Sequence, residues 1–187
     1  MQRVYWTPRL PGAADERSWL ICLDLQRDYV VPGRPKFDPG ADAVAQACDR
    51  MLRHARDDGW RIVHAHQQTG AVGDSSRFGA PIDGLRPLVR EPIFMRAGLS
   101  AFSNPDFSEE LGAARGAEVY LIGFSLSGSC LATALAAVDA GLNVSLVEDA
   151  VGAGPAAPSV GQIARALLMP WVRLVSSREI TAPELVS

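Results

Sequence analysis

Lysine is nearly missing from this chain: Lys36 is the only one in 187 residues, and arginine carries the rest of the positive charge. With a formal net charge of -3 and no basic run, the sequence lacks the footprint of a nucleic-acid binder. Cysteine is sparse and odd in number. Cys22, Cys48 and Cys130 show no C-x-x-C or finger spacing, which argues against a disulfide framework and fits a reducing, cytoplasmic setting. No apolar run approaches the roughly 20 residues of a membrane span, and Met1 to Arg17 lack the apolar core of a signal peptide. No G-x-G-x-x-G follows a strand, which sets aside a flavodoxin-like or dinucleotide-binding protein, and no cofactor is implied.

What is present is a core. At 48% hydrophobic residues and without internal repeats, the chain reads as an arm over 1–18, carrying Val4, Tyr5 and Trp6, followed by one domain over 19–187. Short apolar runs predict strands at Trp19–Leu23, Trp60–Ala65, Pro92–Met95, Val119–Ile122, Val144–Val147 and Trp171–Val175. Between them, 3.6-residue periodicity predicts helices over 41–58, 106–115, 130–141 and 159–168. The strict alternation implies a doubly wound α/β sheet with right-handed crossovers. The stretch 67–92, rich in Gly, Pro, Ser and Asp, reads as an ordered lid held down by Phe78, Ile82 and Leu85.

Chemistry concentrates where strands end. Asp24 closes the first strand, a position where open α/β sheets bind ligands, although an acid there can equally cap the following turn. Cys130 falls where a strand's loop becomes a helix. Unpaired N–H groups and the dipole at a helix start favour a thiolate and can hold an oxyanion, while Ser127, Gly128 and Ser129 leave room for a substrate to approach. A buried structural cysteine explains that stretch equally well. His64 and His66 share one face of their strand, but no Asp or third His completes a metal set. One of them is expected to line a pocket and the other to bond a neighbouring loop.

Three stretches fall into one pattern. Asp24-Leu25-Gln26-Arg27-Asp28-Tyr29, Arg96 ahead of Ser100-Ala101-Phe102, and Gly123 to Ala134 with Cys130-Leu131-Ala132-Thr133-Ala134 resemble, in order, the motifs of the isochorismatase-like cysteine hydrolases. The resemblance covers about 19–180. It implies a three-layer α/β/α sandwich around a mainly parallel, Rossmann-like sheet, a homo-oligomer, and hydrolysis of C–N bonds in a small amide, urea or carbamoyl-type substrate through a thioester. Carried over, Cys130 would be the nucleophile and Asp24 the acid/base, with Arg96 in the family's lysine position. The N–H groups of Leu126 and Cys130 would form the oxyanion hole, and Tyr29, His66, Phe78, Phe102 and Phe124 would wall the pocket. The loop from Gly123 to Cys130 is one residue longer than the family's. The rival expectation is a non-catalytic relative that binds a small carboxylate or a protein partner.

Overall fold

A computed structural model of the chain describes residues 17–67, 79–155 and 158–182, so residues 1–16 of the arm and the pocket candidate Phe78 lie outside the described residues. The elements are β1 Trp19–Leu23, α1 Ala41–Asp57, β2 Arg61–Gln67, β3 Ile93–Arg96, α2 Pro105–Gly112, β4 Glu118–Gly123, α3 Leu131–Asp139, β5 Asn143–Val151, α4 Pro158–Leu168, β6 Arg173–Val175 and α5 Ser177–Ile180. The six strands form one parallel sheet in the order β3-β2-β1-β4-β5-β6. The chain winds outward through β2 and β3, then returns to lay β4 against β1. That reversal makes the carboxyl ends of β1 and β4 a topological switch point, the place where open α/β sheets bind ligands.

Alternation along each strand feeds two cores. In β1, Trp19, Ile21 and Leu23 enter one cluster with Phe107 and Leu111 of α2, Ala134 and Ala137 of α3, and Ala164 and Leu168 of α4. Leu20 and Cys22 enter the other, with Val44, Ala47, Cys48, Met51 and Leu52 of α1. The result is the three-layer α/β/α sandwich. Ile82 and Leu85 are buried against the α1 side, and Gln26 Nε2 donates to the Gly79 carbonyl at 2.8 Å, so the described part of the 67–92 stretch is packed down. Among the described residues, no helix is long and apolar enough to cross a membrane.

Two elements differ from their sequence reading near that switch point. β5 runs on to Val151 instead of stopping at Val147, because its ladder with β4 shifts register between Leu121 and Gly123 and so pairs Gly123 with Val151. The β4–α3 connection is not a simple loop into a helix: Leu126–Cys130 form a π-type turn interrupted at Gly128 (φ -125, ψ -109), and α3 begins only at Leu131.

Gly123 sits at φ +121, and a Cβ there would lie 1.9 Å from the Leu23 carbonyl oxygen. We therefore expect Gly123→Ala to cost about 3 kcal/mol or more, from a disfavoured backbone plus overpacking. Gly112→Ala, where an added Cβ meets nothing within 4 Å, should be neutral or stabilising by up to ~1 kcal/mol. Urea unfolding of the two variants checks both, and equal losses would refute the close-approach argument.

Candidate active site

Three strand ends converge on one carboxylate. Asp24 follows β1 in the left-handed region (φ 47), and its N–H donates to the Ala65 carbonyl of β2 at 3.0 Å. This pins the backbone while the side chain turns toward Gln67, Arg96 and Ser129. Its Oδ1 accepts the Gln67 N–H at 2.7 Å; its Oδ2 takes the guanidinium of Arg96 and lies 3.1 Å from Ser129 Oγ. Asp24 is fully buried and Arg96 is 2% exposed, so the ion pair stands out of water. Burial pushes the Asp24 carboxyl above its ordinary range, with the Arg96 charge as the main opposing influence.

Arg96 is fixed by more than its partner acid. Nη1 donates to the carbonyls of Gly98 (2.6 Å) and Leu99 (3.1 Å), which aligns the fork toward Asp24. Its Nε–H has no acceptor among the described residues. A guanidinium at the end of β3 keeps the positive charge but gives up no proton at neutral pH.

The turn after β4 supplies the other wall. Its Phe124–Ser125 peptide is cis. The Leu126 N–H donates to the Gly152 carbonyl at 2.7 Å and the Cys130 N–H to the Ser125 carbonyl at 3.1 Å, so both amides named for the oxyanion hole have internal acceptors. The Ser125 N–H donates to no acceptor among the described residues.

Ser129 is the residue that sequence reasoning passed over. Its hydroxyl donates to the Phe124 carbonyl at 2.6 Å and stands next to Asp24 Oδ2. Cys130, one residue on, forms no hydrogen bond through its thiol among the described residues and belongs to the apolar cluster with Leu126, Leu121 and Ala134. Burial pushes that thiol well up, the nearby Asp24 carboxylate adds to this, and Arg96 only partly opposes it. The easily ionised cysteine expected at the helix start is therefore not what the surroundings favour. Two signals for Ser129 stood in the sequence: a small polar residue in a tight turn, read as space for a substrate, and a loop one residue too long when counted to Cys130.

The expected pocket walls separate. Tyr29 and Phe124 stack at 4.9 Å on the α1 side of the sheet, with Lys36 Nζ 5.5 Å over the Tyr29 ring. Phe102 instead packs edge-on against Phe107 of α2, drawn into the opposite core. His66 is buried with Nε2 unpartnered among the described residues, whereas His64 Nε2 bonds Glu91 of the neighbouring loop at 3.1 Å. Among the described residues no three metal-capable side chains come together.

With the site in view, three likenesses bear on it. A family profile for the isochorismatase domain matches residues 18–170. Maleamate amidohydrolase of Pseudomonas putida is 26% identical to the chain over 151 residues, 71% of each protein. The crystal structure of an isochorismatase from Pseudomonas putida superposes with a TM-score of 0.74 at 26% identity, covering 91% of this chain and 93% of that one. A cysteine hydrolase from Pseudomonas syringae pv. phaseolicola shares the fold at a TM-score of 0.79 and 17% identity, covering 96% and 97%.

His66 gives the site a pH signature. Burial, reinforced by His64 and Arg96, lowers it from 6.5 to about 4. In that window the unfolded chain binds the extra proton, so the contribution of neutral His66 is complete above about pH 6.5 and is lost as pH falls toward 4. A shift of this size corresponds to ~3 kcal/mol. We expect His66→Gln to flatten the fall in Tm between pH 7 and pH 4.5; an unchanged slope would remove His66 from the account.

Proposed function

The chain belongs to the isochorismatase family, and we propose that it is an amidohydrolase cleaving a C–N bond other than a peptide bond in a small amide, urea or carbamoyl-type substrate. One observation carries the reading. A buried carboxylate, Asp24, is paired with a permanent cation and in reach of a hydroxyl at the carboxyl ends of the central strands. The likeness to a protein named maleamate amidohydrolase supports C–N bonds as the target.

Asp24 is the proton carrier in this reading. Ionised, it takes a proton from the attacking group as the new bond forms; protonated, it gives that proton to the departing amine. Its burial raises the pKa toward the range in which both directions are accessible, and Arg96 keeps the ionised form available. The Ser125 N–H, without an acceptor among the described residues, receives the developing oxyanion in this reading, in place of the engaged Leu126 amide. Water then releases the acid from the covalent intermediate. The sequence reading puts that intermediate on Cys130 as a thioester, whereas the hydroxyl bonded to Asp24 belongs to Ser129. Cytoplasmic location and a homo-oligomeric state stay within the proposal. They are supported by the free thiols and by Ile163, Leu167, Met169 and Trp171, exposed on α4 and the turn after it.

Ammonia release from a panel of small amides, ureas and carbamoyl compounds is the test. Asp24→Asn should lower kcat/KM by about 10²-fold or more. Because the acid must be ionised to act as base, kcat/KM should fall as pH drops through its raised pKa. Removing the opposing charge in Arg96→Met should move that acid limb to higher pH, and Arg96→Lys should restore most of the shift. A panel on which the wild-type protein releases no ammonia would sink the amidohydrolase reading.

A further inference from the structure

We propose that Ser129, rather than Cys130, supplies the attacking atom of this site. The inference takes its substrate class from the amidohydrolase reading above and its evidence from geometry. Ser129 Oγ lies 3.1 Å from Asp24 Oδ2, the same oxygen that Arg96 holds, and the residue is 3% exposed. Its one proton has two acceptors, the Phe124 carbonyl at 2.6 Å and Asp24, so rotation of the hydroxyl hands the proton from the first to the second. The Cys130 thiol has neither contact and is packed among apolar side chains.

The chemistry balances with water as the second reactant. Oγ forms a bond to the carbonyl carbon while its proton passes to the Asp24 carboxylate, and the C=O π pair moves onto oxygen. Proton loss accompanies bond formation, so no free alkoxide is required. The oxyanion collapses, the C–N bond breaks, and Asp24 returns the proton to the leaving nitrogen, which departs as amine or ammonia. Water attacks the resulting Ser129 ester and gives a proton to Asp24, which delivers it to Oγ as the acid leaves.

Two measurements on the full chain test this. First, a small fluorophosphonate is reacted with the protein and the adduct is located by peptide mass mapping. The expected result is one adduct on Ser129, absent in Ser129→Ala; an adduct on Cys130, or none, overturns the proposal. Second, with a panel substrate, Ser129→Ala should lower kcat/KM by about 10³-fold or more. Cys130→Ala, which keeps the backbone amide, should stay within about 5-fold, with thermal melts confirming that both variants fold. The reverse pattern overturns the serine while leaving the amidohydrolase reading intact. Full activity in both variants, together with loss in Asp24→Asn, assigns the attack to water and also overturns it. A Ser129 adduct on a protein that releases no ammonia keeps the serine and discards the amide substrate.

Discussion

The rest of the site depends on the buried pair between Asp24 and Arg96. Neither side chain reaches water, and removing one partner would leave an uncompensated charge costing about 3–5 kcal/mol. The cost is offset in part by further hydrogen bonds, the Gln67 N–H on Asp24 and the Gly98 and Leu99 carbonyls on Arg96, while the Arg96 Nε–H has no acceptor among the described residues. Those contacts join the ends of β1, β2 and β3. The pair therefore fixes where the strands must stop relative to one another, and the site is a consequence of that registration.

The opposite wall is built by close backbone approach. Gly123 lets β4 come against the Leu23 carbonyl, and Gly152 lies where a Cβ would strike the Phe124 ring. The Gly152 N–H donates to the Gly123 carbonyl at 2.9 Å while its carbonyl receives the Leu126 N–H. The prolonged β5 thus braces the turn after β4. This bracing holds the Ser129 hydroxyl against Asp24 while one side of the same turn, Leu126 and Cys130, is sealed into the core.

Much of this was legible in the sequence. The bounds of β1 and α1 agree with the structure to within a residue, because a continuous apolar run marks a buried parallel strand and an amphipathic helix carries a strong 3.6-residue period. That Asp24 and Arg96 stand together was legible from two sources, the strand-end position of the acid and the family resemblance for the arginine, and the structure pairs them. The contact of Ser129 with Asp24 was not legible for a physical reason: adjacent residues in a helical turn point about 100° apart, so a shift of one position exchanges the Asp24 side of the turn for the apolar cluster. Motif spacing anchored on the sulfur selected Cys130 and left the loop one residue too long. Counted to Ser129, the surplus vanishes. For Phe102 the limit is different, since aromaticity does not say which core a ring joins, and the ring packs edge-on against Phe107 of α2.

Arginine in place of lysine has a further consequence for how protons move. A lysine beside the acid would offer a second titratable group, whereas a guanidinium holds its protons throughout the working pH range. Of its donors, Nη1 is spent on two loop carbonyls and Nη2 on Asp24, which makes Arg96 a fixed electrostatic clamp. His66 stays neutral above about pH 4, and among the described residues Asp24 is the titratable side chain that Ser129 hydrogen-bonds. All proton traffic in the proposed chemistry thus passes through one carboxyl group. Its pKa, set by burial against the single charge of Arg96, then governs both the forward and the return transfer.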